Sequence, residues 1–508
     1  MAAPLDQLTS WRADWRGLNV VVLGLGVTGF AAADTLAELG ARVTVTARTP
    51  DAERARILPV IGVDLVELSG DDANDTDAVL ALGADLAIVS PGFTPEQPLI
   101  RAIQAAGIPM WGDIELAWRV RDKVEPAAEW VTITGTNGKT TTTQLTATML
   151  AEAGRRVAPC GNIGVPVLDA VRDPAGFDVL VVELSSFQLH WLPTEGPGAL
   201  SPLASACLNL AEDHYDWHGS PEAYAAAKAK VYANTQLACV YNRRDEATMR
   251  MVEQAEVVEG CRAIGFGSDT PGPSDVGVVD DLLVDRAFLD ERHTTALELA
   301  SLADLAAAGL QTPHGLANAL AASALARAAG ASPVAVRDGL RAFRVDHHRT
   351  EVVAQIDEVV WVDDSKATNA HAAASSLTAY RSVVWIVGGL AKGVDLAPLV
   401  AAHRDRLRAA VLIGAERASL AEAFARHAPG LPVSEVDARE TVRVMPDAVR
   451  LAARFAQPGD TVLLAPAAAS MDQFDDYADR GRRFADAVRQ HGEGAADDEH
   501  PAPSRDAG

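Results

Sequence analysis

The amino-acid sequence predicts an α/β protein of three domains whose sheets are mainly parallel. Three segments rich in β-branched residues, which begin at Leu18, Trp130 and Val359, each open a series of strands and helices within the 508 residues. This length fits about three domains of roughly 100–200 residues each. Because strands alternate with helical segments, parallel sheets are expected. We place a Rossmann-like N-terminal domain at residues 1–116, a central P-loop ATPase-type domain at 117–345, a Rossmann-like C-terminal domain at 346–490 and a tail at 491–508.

The N-terminal unit begins with a strand, a glycine-rich turn and a helix. A strand is predicted at residues 18–23, and a Gly-x-Gly-x-x-Gly pattern that starts at Gly24 leads into an Ala-rich helix. Two more strands are predicted at residues 42–46 and 85–89, the second of which runs into Ser-Pro-Gly. This order is typical of a nucleotide-binding fold, in which the turn after the first strand holds a diphosphate.

The glycine pattern resembles a dinucleotide-binding turn, but the end of the second strand does not support NAD. A NAD site normally has an acid there, about 20 residues beyond the glycines, which binds the ribose 2′-hydroxyl. Here the strand runs through Thr46 and Ala47 to Arg48, and none of these residues is acidic. A nicotinamide oxidoreductase is therefore disfavoured.

The central unit carries a pattern typical of a phosphate-binding loop. A strand at residues 130–134 runs directly into Gly-Thr-Asn-Gly-Lys-Thr, and a Thr-rich helix start follows. Glycines let the backbone approach phosphate oxygens, the helix N-terminus offers unpaired N–H groups, the lysine supplies positive charge and a threonine hydroxyl can bind Mg²⁺. The loop is a shortened variant, because Ile133 stands where the stricter pattern has glycine. The predicted ATP-binding residues of this loop are Gly135, Thr136, Asn137, Gly138, Lys139, Thr140 and Thr141.

The remaining segments continue the alternation of strands and helices. In the central unit we predict strands at residues 178–182 and 204–210, a hairpin at 276–284 and a closing helix at 316–329. The third unit is predicted to have strands at residues 359–362, 383–387, 410–413 and 461–464. The tail is polar, rich in Ala, Asp and Pro, and without periodicity, and we predict that it is disordered.

Composition excludes several classes of protein. The formal charge is −25, from 44 basic and 69 acidic residues, which disfavours nucleic acid as a partner because binding it requires cations that neutralise phosphates. The four cysteines form no Cys-x-x-Cys pair, and so predict neither a zinc site nor a disulfide framework. The N-terminus lacks the apolar core of a signal peptide, and no apolar stretch approaches the roughly 20 residues that span a membrane. We therefore expect a cytoplasmic protein without membrane insertion.

Several further motifs follow the phosphate loop in a fixed order. They are Gly161-Asn162-Ile163-Gly164, Glu183-Leu-Ser-Ser-Phe-Gln-Leu189, Glu212-Asp213-His214, Ala227-Lys228, Asp364-Ser-Lys-Ala-Thr-Asn369 and Pro466-Ala-Ala-Ala-Ser-Met-Asp-Gln-Phe474. Together with the phosphate loop, this series resembles the Mur ligases and their folylpolyglutamate synthase relatives across almost the whole chain. The Ser-Ser-Phe-Gln-Leu, Asp-Ser-Lys-Ala-Thr-Asn and Ser-x-Asp-Gln-Phe blocks resemble the members that add D-glutamate, rather than those that add L-alanine, a diamino acid or a dipeptide.

The resemblance implies a two-step ligation that uses ATP and two Mg²⁺ ions as cofactors. ATP phosphorylates the terminal carboxylate of UDP-N-acetylmuramoyl-L-alanine, and the amine of D-glutamate then attacks the acyl phosphate. Activation is needed because a carboxylate is a poor electrophile, and positive charge must offset the negative charge that develops during phosphoryl transfer. We expect a monomer. The alternatives are another Mur ligase or a folylpolyglutamate synthase and, outside ATP-dependent enzymes, a nicotinamide oxidoreductase or a module that only binds UDP-sugars.

Catalytic and metal-binding roles follow partly from position and partly from the resemblance. Glu183 ends an apolar strand, where carboxylates face the ligand crevice of an open sheet, and with Thr140 it offers hard oxygen ligands for Mg²⁺; a capping carboxylate is the alternative. By sequence alone His214 and His218 are equal candidates for a ligand. The resemblance selects His214 as a second metal ligand and implies that Lys228 is carbamylated, with Lys230 solvated. The predicted catalytic residues are Lys139, Glu183, His214, Lys228 and Arg349.

The resemblance also implies contacts to ATP outside the phosphate loop. His348 and Arg349 would lie against ATP, Asp364 would hold the ribose and Lys366 would add positive charge near the transferred phosphoryl group. His314 begins what resembles an adenine-side motif, but Gly315 stands where asparagine is usual, so that Asn318 is the remaining amide for this contact.

Two further groups of residues match the positions that bind the other substrates in the family. Those for the UDP-substrate are Gly26, Val27, Thr28, Thr46, Arg48, Ser90, Gly92 and Asn162, with Thr46 in place of an acid seen near uracil in some relatives. Those for D-glutamate are Thr368, Lys392, Ser470, Met471 and Tyr477, with Tyr477 where phenylalanine is frequent. Taken singly, Lys392 as a solvated loop lysine and Ser470 as a helix N-cap are the alternatives.

Overall fold

The computed structural model describes residues 4–344, 348–391, 394–437 and 440–499, without the side chains of residue 375 and residues 494–499. The chain divides into two compact units, one formed by residues 1–210 and 217–344 and the other by residues 211–216 and 345–508. The predicted fold class is confirmed, because the chain forms three mainly parallel sheets whose strands alternate with helices. Within the described residues, every helix is too short or too polar to cross a membrane.

The first sheet of the larger unit has five parallel strands in the order β3-β2-β1-β4-β5. The central strand β1 is buried over its last four residues, as expected for a strand with helices on both faces. Its elements are β1 Asn19–Leu23, α1 Val27–Glu38, β2 Arg42–Ala47, α2 Ala52–Ile57, β3 Asp64–Glu67, α3 Asp72–Ala81, β4 Leu86–Val89, α4 Pro98–Ala105, β5 Met110–Gly112 and α5 Asp113–Arg119.

The second sheet of this unit has nine strands in the order β14-β13-β12-β11-β10-β9-β6-β8-β7. The predicted hairpin is confirmed, because β12 and β13 pair antiparallel. Its strands are β6 Glu129–Thr134, β7 Val157–Gly161, β8 Val179–Glu183, β9 Ala204–Cys207, β10 Ala238–Asn242, β11 Arg262–Phe266, β12 Asp275–Val279, β13 Leu282–Asp285 and β14 Leu297–Ser301. The helices are α6 Lys139–Glu152, α7 Val167–Arg172, α8 Ser186–Trp191, α9 Tyr215–His218, α10 Pro221–Ala229, α11 Glu246–Glu253, α12 Leu302–Ala307, α13 Pro313–Ala328 and α14 Pro333–Ala342.

The smaller unit contains a six-stranded sheet in the order β15-β16-β20-β17-β18-β19, in which only β15 runs antiparallel to its neighbour. Its strands are β15 Glu351–Ile356, β16 Val359–Asp363, β17 Val383–Gly388, β18 Leu407–Ile413, β19 Val433–Glu435 and β20 Thr461–Leu464. Its helices are α15 Ala370–Ala379, α16 Ala397–His403, α17 Arg417–His427, α18 Thr441–Phe455 and α19 Tyr477–Glu499. Short 3-10 helices of the chain lie at Leu5–Gln7, Leu58–Ile61, Lys230–Tyr232 and Arg404–Arg406.

The last helix corrects the prediction of a disordered tail from residue 491. Helix α19 continues to Glu499, so the first nine residues of that tail are helical. Its buried face, which includes Phe484 and Val488, packs in the core of the third sheet, and the polar end extends the same helix. A helix anchored by such a face can continue through residues that have no apolar periodicity of their own. Residues 500–508 lie outside the described residues.

The two sheets of the larger unit are joined by buried polar and aromatic contacts. Trp118 on α5 and Trp130 on β6 pack edge to face with ring centroids 5.2 Å apart. Asp113 at the start of α5 accepts a hydrogen bond of 2.9 Å from the Gln188 side chain on α8. Burial raises the pKa of Asp113 to about 6, although this bond and backbone N–H groups oppose the shift. The ionised carboxylate is therefore less stable in the folded chain than in water.

This raised pKa predicts that Asp113→Asn stabilises the protein at neutral pH. An acid whose pKa is raised by folding does not reduce the free energy of unfolding below its ordinary pKa near 4, but reduces it as pH rises through about 6, by on the order of 3 kcal/mol in total. Asparagine keeps an acceptor for Gln188 and removes the charge. Thermal unfolding midpoints at pH 4.5 and pH 7.5 should show a gain for the variant mainly at the higher pH.

The exposed Glu53 supplies a control, because Glu53→Gln removes a charge at the surface of α2 and should shift neither midpoint appreciably. A gain for Asp113→Asn of equal size at both pH values would contradict the assignment to ionisation of Asp113.

Candidate active site

The phosphate loop lies between β6 and α6, at the carboxyl edge of the nine-stranded sheet. Gly135 has a φ of 150°, and a Cβ there would lie 3.0 Å from the Cβ of Leu208. Gly138, which caps α6, has a φ of 83°, and a Cβ there would lie 2.2 Å from the Asn318 side-chain oxygen on α13. Both positions therefore require glycine. The loop is also held by Asn209, whose amide oxygen accepts from the backbone N–H of Asn137 at 2.8 Å.

Two lysines donate to the same carbonyl oxygen of this loop. Lys139 Nζ donates to the carbonyl oxygens of Gly135 and Thr136, each at 2.9 Å. Lys228 Nζ, on a side chain that is only 2 % exposed, donates to the same Gly135 oxygen at 2.9 Å. The Lys228 ammonium also lies 4.8 Å from the centre of the Tyr224 ring, and Tyr224 hydrogen-bonds the Thr136 hydroxyl. Lys228 is therefore buried against the phosphate loop and is not a solvated helix lysine.

Lys230 is placed differently from the prediction. Its ammonium donates to the carbonyl oxygens of His190 and Leu192 at 2.6 and 2.9 Å, and burial lowers its pKa. The prediction that Lys230 is the solvated lysine is therefore wrong. These carbonyls could not be anticipated from local patterns, because the residues that offer them lie about 40 positions away at the end of α8. Lys230 has a structural role, while Lys228 reaches the phosphate loop.

Glu183 has a carboxylate oxygen with unused bonding capacity. It ends β8 and is 2 % exposed, with Ile133 of β6 and Gly161 of β7 as its neighbours across the sheet. Its Oε1 accepts from the side-chain amide of Asn162 at 2.9 Å, whereas Oε2 is buried without a hydrogen-bond partner among the described residues. Buried carboxylates normally have partners. The free oxygen therefore fits a cation, and an oxygen donor suits Mg²⁺.

The remaining predicted residues around this loop have defined positions. Thr140 and Thr141 lie in the first turn of α6 and are buried, as is Asn318. His218 accepts from or donates to the Ser186 hydroxyl at 3.0 Å and stacks on Phe187, and burial lowers its pKa to about 4. His218 is therefore neutral at physiological pH.

The glycine turn of the first sheet lies beside two buried hydroxyls. Thr46 at the end of β2 and Ser90 after β4 each have a buried hydroxyl oxygen without a hydrogen-bond partner among the described residues. Ser90 Oγ lies 3.1 Å from the position of a Cβ at Gly24 and 3.2 Å from that of a Cβ at Gly29. These strand ends surround the N-terminus of α1, where backbone N–H groups favour a diphosphate. Gly26, Val27 and Gly92 are exposed here, and Thr28 is half-buried.

Arg48 lies at the same edge but is already paired. Its Nε donates to Asp75 at 2.8 Å and its Nη2 donates to Asp72, both on α3. The sequence marked Arg48 as a ligand-binding residue and did not identify these acids, which come 24 and 27 positions later.

In the smaller unit, the Asp364 carboxylate is buried beside the start of the Asp-Ser-Lys-Ala-Thr-Asn block. It accepts from the Thr350 backbone at 3.1 Å and from the Ser376 hydroxyl, and burial raises its pKa to about 6. Lys366 lies with its ammonium 3.7 Å from the centre of the Tyr477 ring. Two predicted residues, Lys366 and Tyr477, are thus neighbours.

His348 and His214 each contact an acid within the smaller unit. His348 Nδ1 lies 2.6 Å from Asp363, and the hydrogen bond with this carboxylate raises the His348 pKa. A carboxylate oxygen of Glu351 lies within 4.8 Å of the ligand atoms of both His348 and Asp363. His214 has a φ of 54°, and its Nε2 lies 3.5 Å from the Asp213 carboxylate. The side-chain amide of Asn369 donates to the same carboxylate at 3.3 Å. Arg349 is half-buried.

The residues predicted for D-glutamate are only partly described. Ser470 is 4 % exposed and forms a turn in which its carbonyl accepts from Gln473 and Phe474. The next helix begins only at Tyr477, so the N-cap interpretation of Ser470 is wrong. Met471 is 73 % exposed and Thr368 is half-buried. Lys392 lies outside the described residues.

Sequence reasoning did not identify Arg480, whose guanidinium hydrogen-bonds residues near Ser470 and Thr368. Arg480 is fully buried and donates to the Ser365 hydroxyl at 2.9 Å, to the Ser365 carbonyl at 2.7 Å and to the Ala468 carbonyl at 3.2 Å. It therefore joins the loops after β16 and β20. Arg480 lies four positions before Phe484 and eight before Val488, and this helical spacing, which places it on the apolar face of α19, is the signal that could have suggested it.

Three family models match the chain, and together they cover most of it. The description "Mur ligase MurD-like, N-terminal domain" matches residues 18–112, "Mur ligase middle domain" matches residues 133–326 and "Mur ligase, glutamate ligase domain" matches residues 348–468. Among solved structures, a UDP-N-acetylmuramate-alanine ligase from Thermotoga maritima is 19 % identical with a TM-score of 0.54, over 93 % of this chain and 100 % of that one. This likeness concerns the fold.

Relatives of much higher identity extend over nearly the full length. A UDP-N-acetylmuramoylalanine--D-glutamate ligase from Leifsonia xyli subsp. xyli is 65 % identical over 500 residues, which cover 97 % of this chain and 96 % of the relative. One of the same name from Streptomyces avermitilis is 53 % identical over 94 % of this chain and 99 % of the relative. With the family models and the phosphate loop, these identities show that the chain belongs to the Mur ligase family.

Proposed function

We propose that this chain is an ATP-dependent ligase that joins D-glutamate to UDP-N-acetylmuramoyl-L-alanine in the synthesis of peptidoglycan precursors. The carrying observation is the phosphate loop at the N-terminus of α6, with Lys139 and Lys228 on one carbonyl and the Glu183 carboxylate at a neighbouring strand end. The names of the relatives at 65 % and 53 % identity support D-glutamate as the added amino acid.

The loop favours transfer of the ATP γ-phosphoryl group to a carboxylate. Backbone N–H groups at the start of α6 and the Lys139 ammonium bind phosphate oxygens and offset the charge that develops on them. The substrate carboxylate attacks the γ-phosphorus, the bond to ADP breaks, and an acyl phosphate forms. The D-glutamate amine then attacks the acyl carbon through a tetrahedral intermediate, loses a proton and expels phosphate.

Mg²⁺ would be held by Glu183 and Thr140 in this unit. The buried Glu183 Oε2 and the Thr140 side chain in the first turn of α6 are hard oxygen donors of the kind that Mg²⁺ prefers. The bound ion supplies positive charge beside the ATP phosphates. Asn162, which donates to Glu183 Oε1, keeps the carboxylate oriented, so we assign Asn162 a positioning role in addition to its proposed contact with the muramoyl group.

The other assignments of the site are proposals that rest on the family's motifs. In the smaller unit, the residues proposed to bind ATP are Arg349, His348, Asp364 and Lys366. His214 is proposed to bind a second Mg²⁺. The buried hydroxyls of Thr46 and Ser90, at the strand ends beside the glycine turn, support binding of the UDP moiety by the first sheet. We also propose a cytoplasmic monomer.

The test of the proposed function is D-glutamate-dependent release of phosphate. The purified enzyme with ATP, Mg²⁺ and UDP-N-acetylmuramoyl-L-alanine should release phosphate when D-glutamate is added, but not when L-alanine, a diamino acid or D-alanyl-D-alanine is added. Lys139→Ala should lower the rate of phosphate release by at least about a hundredfold, because a charge-assisted contact to the transferred phosphoryl group is lost.

Turnover with a different amino acid and none with D-glutamate would contradict the proposed substrate and assign the enzyme the specificity of another member of the family. Release of phosphate by folded Lys139→Ala at the wild-type rate would contradict the assigned role of the loop. Circular dichroism establishes that this variant is folded.

A second proposal within the site is that Lys228 carries a carbamate. Two ammonium groups on the Gly135 carbonyl repel each other at a site that also needs anionic ligands. Attack of the Lys228 amine on CO₂, with loss of a proton, converts this cation into an anion. Lys228→Ala should be nearly inactive, and short carboxylic acids such as formate or acetate should partly restore activity by filling the vacated anionic position.

Lys230→Ala is the matched control for Lys228→Ala. Its loss of bonds to the carbonyls of His190 and Leu192 should lower stability, but carboxylic acids should not restore any lost activity. Native mass spectrometry of the wild type should show an added mass of one CO₂ that is absent from Lys228→Ala. Equal rescue of both variants, or no added mass with a fully active enzyme, would refute the carbamate.

A third prediction concerns the D-glutamate pocket. The substrate has two carboxylates, so its pocket needs cations and hydroxyl donors, for which Lys392 and the buried Ser470 are proposed. Loss of a bond to a carboxylate costs on the order of 1.5–3 kcal/mol, roughly tenfold to a hundredfold or somewhat more in affinity. Ser470→Ala and Lys392→Ala should therefore raise the Michaelis constant for D-glutamate and leave those for ATP and the UDP-substrate largely unchanged.

Ser434→Ala, on the edge strand β19, controls for loss of a serine elsewhere in the smaller unit and should change none of the three constants. A rise in the ATP constant with the D-glutamate constant unaffected would place Ser470 and Lys392 in the nucleotide site instead.

A further inference from the structure

The edge of the five-stranded sheet contains a buried acid to which no role has been assigned. Asp75, in the first turn of α3, is 1 % exposed. Its Oδ1 accepts from the backbone N–H of Ser69 at 2.7 Å, from the Ser69 hydroxyl at 2.8 Å and from the backbone N–H of Gly70 at 3.3 Å. These three donors hold the Asp75 carboxylate against the loop between β3 and α3.

The other oxygen of this carboxylate faces Arg48. Asp75 Oδ2 accepts from Arg48 Nε at 2.8 Å, and the exposed Asp72 accepts from Nη2 of the same guanidinium. The two acids thus bind one edge of a planar group. Arg48 Nη1 has no hydrogen-bond partner in the part of the chain that the structure describes, and the side chain is 49 % exposed. Its remaining donors therefore face away from the acids.

The position of Arg48 in the sheet indicates which part of a nucleotide this edge would meet. Arg48 directly follows β2, whose last residues pair with the end of β1, where the glycine turn begins. In Rossmann-like sheets the turn after the first strand binds the diphosphate, whereas the residue at the end of the second strand lies on the nucleoside side. The uracil base offers carbonyl oxygens, which accept from a guanidinium.

We propose that Asp75 is a positioning residue that holds Arg48 with its Nη1 edge toward the uridine end of the UDP-substrate. This inference rests on the proposed function and adds an element to it. The rigid Asp75 sets the plane of the guanidinium, and Asp72 holds its second donor. In place of an acid at Thr46, specificity at this end then depends on a cation that two carboxylates orient before the substrate binds. Such preorganisation lowers the cost of ordering Arg48 on binding.

The proposal predicts a defect confined to one substrate. Asp75→Asn keeps an acceptor for Ser69 but no longer fixes the charged edge of Arg48, and should raise the Michaelis constant for UDP-N-acetylmuramoyl-L-alanine by roughly tenfold, which corresponds to about 1.4 kcal/mol. The kcat and the constants for ATP and D-glutamate should change less than about twofold. Asp72→Asn, at an exposed position, should give a smaller rise of the same kind.

Two comparisons separate positioning from a general structural effect. Asp77→Asn makes the same charge change at an exposed site of α3 and should leave all three constants unchanged. In a double-mutant cycle, Asp75→Asn should add little in an Arg48→Ala background, because Asp75 acts through Arg48. Rises that multiply in the double variant would overturn the proposal.

Competition experiments identify the end of the nucleotide that is recognised. Asp75→Asn should weaken competitive inhibition by UDP and leave inhibition by inorganic pyrophosphate unchanged. Equal weakening of both would assign Arg48 to the diphosphate and overturn the inference. If Asp75→Asn does not fold, the same cycle with Asp72→Asn decides the outcome. A wild-type enzyme without D-glutamate-dependent turnover would instead refute the proposed function, and UDP binding would still test the role of Asp75.

Discussion

The close packing around the turn between β6 and α6 is the constraint on which the catalytic edge of the larger unit depends. Leu208 leaves little room for a side chain at Gly135, and at Gly138 both the positive φ and the adjacent Asn318 disfavour one. The bare backbone that results can approach a phosphate, and its carbonyl at position 135 attracts both Lys139 and Lys228. The same packing that fixes the loop therefore brings two lysine ammonium groups together on one carbonyl oxygen.

The features that were predicted depend on local sequence patterns, whereas the positions of charged side chains depend on partners far away in sequence. Strands β1, β6 and β17, the phosphate loop and the hairpin of β12 and β13 follow from local patterns of residues and were predicted. The position of Glu183 at the end of β8 was also predicted, because a carboxylate directly follows a run of apolar strand residues. The ligase chemistry was implied by the resemblance of the series of motifs to the Mur ligases.

The partners of these residues were not predictable from local patterns. Lys230 was expected in solvent, yet its ammonium meets the carbonyls that end α8. Arg48 was expected at a ligand, yet acids of α3 bind one of its edges. Both outcomes depend on which loops lie side by side at a sheet edge, and a single sequence does not encode that in any short pattern. Helix α19 likewise continues into a polar segment because its preceding turns are anchored in a core.

Unpaired buried polar atoms acquire meaning only together with their position in the fold. The described residues include such atoms on Trp130 and Trp361, which lie within strands, and on Thr142 and Thr143 within α6, and none of these four residues was predicted to bind a ligand. Those of Thr46, Ser90 and Glu183 lie at or just beyond the carboxyl ends of parallel strands, where open sheets bind ligands. A buried hydroxyl or carboxylate oxygen without a partner costs free energy, and at a strand end that cost is recovered when a ligand supplies the missing bond. Their coincidence with glycine turns, at β1 and at β6, is therefore a stronger argument for two nucleotide sites than either observation alone.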